Sequence, residues 1–232
     1  MVLPRTQEPE VMDSRQEAQE YDSMDHTDVN QRFVNDYLAY ACPDVDQSGK
    51  NAGLMILDLG TGTAQIPIHL SNRLTIRHTV MACDLSPRML EIARRNIDKA
   101  GCFHAVIPML CNARRLPVPD DSCQQLISNS IIHHIPQPAD VFSELRRVAA
   151  PGAVVFFRDL LRPGTAAEAD RLVNDYAGAA TQHQQQMFRD SLHAALTVPE
   201  VRTILLQTGL DPNWVRQSSD RHWTIAGKMS VV

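Results

Sequence analysis

Asp58-Leu59-Gly60-Thr61-Gly62-Thr63 combines a carboxylate with two glycines one residue apart. Glycine takes backbone angles closed to other residues and lets a ligand approach the main chain. The segment directly follows an apolar run, residues 54–57, and a helix is predicted to start near Ala64 with its N-terminus facing any ligand. Asp84 closes the next apolar run, residues 80–83, and lies 22 residues after Gly62. A carboxylate about 20 residues on can accept hydrogen bonds from both hydroxyls of a ribose. Where a dinucleotide fingerprint has its third glycine, this chain has Gln65. Loss of that small residue points to a nucleoside ligand without a pyrophosphate. The competing reading of the same residues is a tight strand–helix turn with no ligand.

Other groups carry chemistry with less pattern behind them. Arg158 and Asp159 end a fifth apolar run, and residues beyond the carboxyl ends of strands line the ligand crevice of an open α/β sheet. An internal ion pair would use the same two charges. Arg162 follows closely and could meet an acidic acceptor. Residues 21–32, from Tyr21 to Arg32, are rich in polar side chains ahead of a helix; capping by Thr27 or Asp28 is the plainer account of them. Nine histidines include no H-x-x-H or H-E-x-x-H pair, so no metal site is expected. Five cysteines with no C-x-x-C spacing argue against a zinc knuckle or a disulfide framework; reduced, mostly buried thiols are expected.

The elements that must position these residues alternate. Apolar runs at 54–57, 80–83, 105–110, 125–128 and 153–157 are near-continuous, as suits strands covered on both faces. Between them lies a clear helix, 87–100, with Ser86 as N-cap, Pro87 at its first position and Gly101 at its stop. A second spans about 139–149 and stops at Pro151-Gly152. This alternation predicts a doubly wound α/β sheet. Ahead of it, residues 1–20 read as a polar, partly disordered lead, 28–41 as an amphipathic helix, and 42–53 as a turn-rich break. Beyond residue 160 come a long helical insert at 161–194, a short helix at 198–207, and a last strand within 217–228. The insert is long for a strand–helix connection and is a candidate lid.

The chain of 232 residues is 44% hydrophobic and 21% charged, which excludes collagen-like, coiled-coil and wholly disordered classes. One α/β domain with additions is the simplest organisation. Residues 1–50 carry eleven acids and four bases, a balance of −7, which leaves +2 for the remainder of the total of −5. Neither part supplies the basic field that general nucleic-acid binding requires. No apolar run approaches the ~18 residues that cross a bilayer, and no signal core opens the sequence, so a cytoplasmic protein is expected.

Taken in order, L-D-L-G-T-G-T (57–63), A-C-D-L-S-P-R-M-L-E-I-A-R-R-N (82–96), L-P-V-P-D-D-S (116–122), S-N-S-I-I-H-H-I (128–135) and L-R-R-V-A-A-P-G-A (145–153) resemble a class I S-adenosylmethionine-dependent methyltransferase. The nearest flavour is the type 11 group, which includes quinone-biosynthesis C-methyltransferases and many small-molecule enzymes. The likeness runs through residues 52–160. It implies a Rossmann-like, seven-stranded, mostly parallel sheet over residues 51–232, with residues 1–50 as a helical N-terminal cover. It implies S-adenosyl-L-methionine as cofactor and S-adenosyl-L-homocysteine as product.

Carried over residue by residue, the resemblance puts Asp58 near the methionine amino group and passes Gly60, Thr61 and Gly62 under the methionine and ribose. It gives the ribose hydroxyls to Asp84 and the adenine face to Leu85. Asn112, where the family often has an acid, would meet the adenine amino group, with Ala113 beside it. Asn129 and Ser130 would flank the methionine moiety, and Tyr21 would contribute to the N-terminal cover. His133 and His134 fall where the family's active site opens. One of the pair is expected to face it, and His134 is the better candidate for a general base. Arg158 and Asp159 complete the candidate catalytic set. A small-molecule acceptor is favoured, since no N-P-P-Y or D-P-P-Y segment follows the fourth strand. Transfer to tRNA or protein, and a binding module without catalysis, stay open as alternatives. A nicotinamide oxidoreductase is disfavoured by Gln65 and by the lack of a Y-x-x-x-K pair.

Overall fold

A computed structural model describes residues 3–9, 14–41 and 53–231. Its strands are β1 (Leu54–Leu59), β2 (His78–Asp84), β3 (Val106–Leu110), β4 (Cys123–Asn129), β5 (Ala149–Leu160), β6 (Val215–Gln217) and β7 (His222–Lys228). They form one sheet in the order β3-β2-β1-β4-β5-β7-β6. β1 to β5 run parallel, and β7 lies antiparallel between β5 and β6. The expected mostly parallel, seven-stranded sheet is therefore the observed one.

Among the described residues, eight α-helices accompany it: α1 (Arg15–Ser23), α2 (Thr27–Ala41), α3 (Gln65–Ser71), α4 (Pro87–Ala100), α5 (Pro138–Val148), α6 (Ala166–Ala177), α7 (Gln182–Ala194) and α8 (Val198–Gln207). The local signals explain their ends. In α4, Ser86 Oγ accepts the Met89 N–H, Pro87 opens the first turn, and Gly101 closes the helix at φ 69°. Capping boxes start α7 (Thr181 with Gln184) and α8 (Thr197 with Glu200).

Alternation along each strand divides the core in two. Leu57, Leu59, Leu126, Val155 and Phe157 face α5 and α8. Ile56, Ile127, Val154 and Phe156 face α2, α3 and α4. Helix α2 is thus a layer of the core: Phe33 and Tyr37 are fully buried, their rings 5.4 Å and 5.9 Å from that of Phe156. Burying Phe33 alone is worth about 1.5–3 kcal/mol. The Tyr37 hydroxyl donates to Gln125 Oε1 within that layer.

Three sequence expectations change. The lead at 1–20 contains the capped helix α1, and residues 3–9 are bonded to the body of the protein: the Leu3 N–H donates to the Gly164 carbonyl and the Thr6 N–H to the His193 carbonyl. The stop expected at Pro151-Gly152 lies inside β5, because Ala149 already pairs with Cys123 and the register shifts before Gln125 pairs with Val154. β6 is too short, at three residues, to show an apolar pattern. The break at 42–53, apart from Gly53, lies outside the described residues, as do Cys42 and the boundary drawn at residue 50. The other four cysteines are free.

The insert at 161–194 is a hairpin of α6 and α7, with its own apolar cluster around Leu160, Leu172, Val173 and Leu192. Among the described residues no helix is long and apolar enough to cross a membrane.

Candidate active site

Strand order reverses at β1, between β2 and β4, and the crevice opens at the carboxyl ends there. It encloses about 830 Å³, part of it continuous with solvent. Ten of the residues singled out from the sequence line it: Tyr21, Gly60, Gly62, Asp84, Leu85, Asn112, Ala113, Asn129, Ser130 and His134. Asp58, Thr61, His133, Arg158 and Asp159 do not.

The glycine turn has to be glycine at its first position. Gly60 sits at φ 70°, and a Cβ there would fall 1.7 Å from the Ile131 methyl Cγ2. Gly62, at φ 55°, lies under the Tyr21 ring. The turn is fastened to the next strand by Asp84, whose Oδ2 accepts the Gly62 N–H and whose Oδ1 accepts the Ser86 N–H, each at 2.8 Å. Burial raises the Asp84 carboxyl above its usual range, and the backbone donors oppose that. Leu85 beside it is 37% exposed, an apolar face offered to the cavity. Asn112 Oδ1 accepts from both the Arg114 N–H and its Nε, so both lone pairs of that oxygen are engaged and the expected acceptance from an adenine amino group has no oxygen free for it.

Unpaired acceptors surround the ends of β1 and β4. Asp58 Oδ2, Thr61 Oγ1 and Asn129 Oδ1 are buried without a hydrogen-bond partner. Burial pushes the Asp58 carboxyl up to about 7; Thr61 stands close enough to oppose this, though not in hydrogen-bond geometry, and Asp84 adds to the rise. Buried orphans of this kind are costly. Their type fits a cationic donor such as an ammonium group. Ser130, at the end of β4, holds φ 63°, an unusual backbone state for a residue with a side chain, and it lines the cavity. Tyr21 is pushed up to about 12 by burial and by Asp84, Asp58 and Asp22, so it stays a neutral phenol.

The histidines occupy a short 3-10 turn, Ile132–His134, directly after β4. His133 turns inward: its Nδ1 meets Asp159 Oδ1 at 2.5 Å, and Asp159 Oδ2 also accepts the Ile132 N–H. Burial alone would lower His133, but Asp159 and then Glu8 raise it, and His133 in return holds the fully buried Asp159 below the usual carboxylate range. His134 lines the cavity and is lowered to about 3, first by burial and then by its neighbour His133, so its imidazole is neutral. Glu8 reaches both rings, 3.5 Å from His133 Nε2 and 3.1 Å from His134 Nδ1.

Asp159 therefore orients His133 from inside the protein. Arg158 is drawn away from the cavity altogether: its Nε donates to Thr224 Oγ1 and its Nη2 to Asp36 Oδ2, linking α2 to β7 across β5. Arg162 is paired with Glu200 at 2.6 Å and donates to the Ala195 carbonyl. Sequence reasoning passed over Cys83, Ser86, Met89, Cys111, Ile131 and Ile135 as lining residues. Cys83 and Cys111 each directly precede a residue that was singled out, and strand-end position was the signal. Nothing in the sequence flagged Glu8.

Residues 57–157 match the family model described as a methyltransferase domain. Among curated proteins, the malonyl-[acyl-carrier protein] O-methyltransferase of Marinomonas sp. is 39% identical over 110 residues, covering 47% of this chain and 39% of the relative. The ubiquinone/menaquinone biosynthesis C-methyltransferase UbiE of the same organism is 24% identical over 119 residues, covering 51% of this chain and 47% of the relative. The chain thus spans less than half the length of these two relatives. A solved S-adenosyl-L-methionine-dependent methyltransferase, so titled, from Methanococcus maripaludis superposes with a TM-score of 0.67 at 15% identity, covering 97% of each chain. One from Aquifex aeolicus gives 0.63 at 17% identity, covering 94% of this chain and 99% of that one. At these identities the likeness to solved structures is one of fold.

Proposed function

We infer, from a chain whose residues 57–157 form a methyltransferase domain, that it transfers the methyl group of S-adenosylmethionine to a small-molecule acceptor and releases S-adenosylhomocysteine. The observation that supports this best is the set of buried, unpartnered acceptors, Asp58 Oδ2, Thr61 Oγ1 and Asn129 Oδ1, beside a carboxylate tied to the glycine turn. An amino acid joined to a nucleoside answers both: its ammonium group suits Asn129 Oδ1, the orphaned oxygen on a cavity-lining residue, and the negative surroundings at Asp58, and its ribose diol suits Asp84. The sulfonium supplies a methyl carbon already bonded to a good leaving group.

The remaining work falls to the protein. Asp84 fixes the sugar and thereby the reacting carbon, and alignment of this kind is worth ~7–11 kcal/mol. Leu85 and Met89 give the adenine an apolar wall, and Asn112 and Ala113 its edge. Tyr21 closes over the glycine turn, and the α6–α7 hairpin with residues 3–9 screens the other end from water. His134 stands in the wall as a neutral imidazole. With its conjugate acid at about 3 it is too weak a base to take the acceptor's proton, so its part is to shape that wall. Asp159, through His133, positions that turn. The O- and C-methyltransferases among the relatives favour a small acceptor.

Calorimetry with S-adenosylmethionine, S-adenosylhomocysteine and NAD tests the reading. A ligand at 100 times its Kd should stabilise the fold by ~2.7 kcal/mol. Stabilisation by NAD alone removes the cofactor assignment. Tight S-adenosylhomocysteine binding without transfer to any member of a broad acceptor panel replaces the enzyme with a binding module. Asp84→Ala deletes two charge-assisted bonds and should weaken S-adenosylhomocysteine binding by on the order of 100-fold. Unchanged affinity sinks the ribose role.

A further inference from the structure

We propose that Glu8, His133 and His134 bind a divalent transition-metal ion of the zinc class. The sequence predicts no metal site, because the ligands share no spacing motif: two adjacent histidines and a glutamate 125 residues earlier. The fold supplies what spacing does not. Residues 3–9 cross the end of β4, and Glu8 Oε1 arrives 3.1 Å from His134 Nδ1 and 3.5 Å from His133 Nε2, the three donor atoms lying within 4.8 Å of one another. Two donors held at about 2.0–2.1 Å by a tetrahedral ion stand about 3.3 Å apart. The two separations from Glu8 bracket that value.

The surroundings have the form that metal-binding histidines require. The second nitrogen of His133 is bonded to Asp159, a carboxylate behind the ligand that fixes tautomer and ring direction. Asp159 is itself held by the Ile132 and Leu160 N–H groups. Glu8 Oε2 accepts from Ser191, which leaves Oε1 aimed at the two rings.

Two of the three donor atoms, Glu8 Oε1 and His134 Nδ1, are buried and make no hydrogen bond despite their short separation. A proton shared between them would need directional geometry they lack; an ion lying off the line between them does not. The charges agree. Glu8 and Asp159 contribute two negative charges against one positive from Arg5, whose guanidinium donates to the His133 and Ile135 carbonyls. Two imidazoles and one carboxylate suit zinc-class ions and leave a fourth position for water or an acceptor oxygen, whereas magnesium and calcium prefer all-oxygen sets. His134 also lines the cavity, so the ion stands on the acceptor side of the site. The proposal does not depend on the cofactor reading.

The test uses the full chain, stripped with a chelator and titrated with Zn²⁺, Co²⁺ and Mg²⁺ separately. One equivalent of Zn²⁺ should bind and raise the melting temperature, and Mg²⁺ should do neither. Co²⁺ should give the intense visible bands of a four- or five-coordinate nitrogen–oxygen site. Glu8→Gln and His134→Gln should each weaken Zn²⁺ binding by roughly tenfold or more, and Glu8→Gln should leave S-adenosylhomocysteine affinity in place. No stoichiometric uptake, a Co²⁺ spectrum like that of the aqueous ion, or affinity unchanged in both variants overturns the site. The cobalt spectrum of the unaltered chain decides the matter even if a variant fails to fold.

Discussion

The nucleoside end of the cavity is assembled from short turns at the ends of neighbouring strands, residues 58–62, 84–89 and 111–113. The histidine end draws on residues 5–8, 131–135, 159 and 191–194, which meet only in the finished fold. At the first, backbone shape does the work and a single side chain, Asp84, ties two adjacent turns. At the second, side chains from four distant segments compete for one another. The contrast teaches that one cavity can join a part whose specificity lies in local geometry to a part whose specificity lies in tertiary assembly. The two parts should therefore fail differently when altered.

The largest effect should follow from changing local shape. Gly60→Ala places a side chain at φ 70° and drives it into Ile131. The backbone term and the overpacking together cost ~3 kcal/mol, or about 6–12 °C in melting temperature for a chain of this size. Adding Ile131→Ala should restore only part of the packing share, because the Cβ at position 131 still lies 2.8 Å away. Full recovery would mean that the backbone conformation is not the constraint.

An intermediate effect concerns Asp58. Its carboxyl lies near 7 in the free protein because of burial, and a bound ammonium group favours the charged form. Binding then expels a proton below pH 7. Affinity for S-adenosylhomocysteine should be full above about pH 7 and fall up to tenfold for each unit below it, ~1.4 kcal/mol per unit. Asp58→Asn should flatten the profile; a wild-type profile already flat between pH 6 and 8 would take Asp58 out of the cofactor site.

The smallest effect is expected at the assembled end. Arg5→Ala removes donors to the Ala194, His133 and Ile135 carbonyls, which nearby water can replace. Global stability should drop by ~1 kcal/mol, while the Leu3 and Thr6 amides lose most of their hydrogen-exchange protection. Equal loss across the β-sheet amides would show that the two ends are not separable.

The same contrast explains what could be read in advance. Strands buried on both faces, a capped helix at 87–100 and a glycine turn before a helix are local patterns, so the sheet and the turn that opens the cavity were legible. Residues 3–9 carry no periodicity because they form neither helix nor strand, and their hold on the protein comes from partners far along the chain. Arg158 and Asp159 were placed correctly at a strand end. Their facing was not predictable, because it depends on Asp36 and Thr224 for one and on His133 for the other. Asn30, expected with Tyr21, His26 and Arg32 in the polar stretch that would cover a cofactor, is 8% exposed and lies on the same face of α2 as Phe33 and Tyr37.

The bonds that hold residues 3–9 also set an order of events. Arg5 leaves the ribosome long before its three partner carbonyls, two of which lie at 133 and 135 and the third at 194. The segment must wait, solvated, while most of the chain is synthesised, and it can seal the acceptor side only after the α6–α7 hairpin exists. Contacts of such sequence separation form late and open early. The last seam sewn in this molecule is thus the one that backs the two histidines.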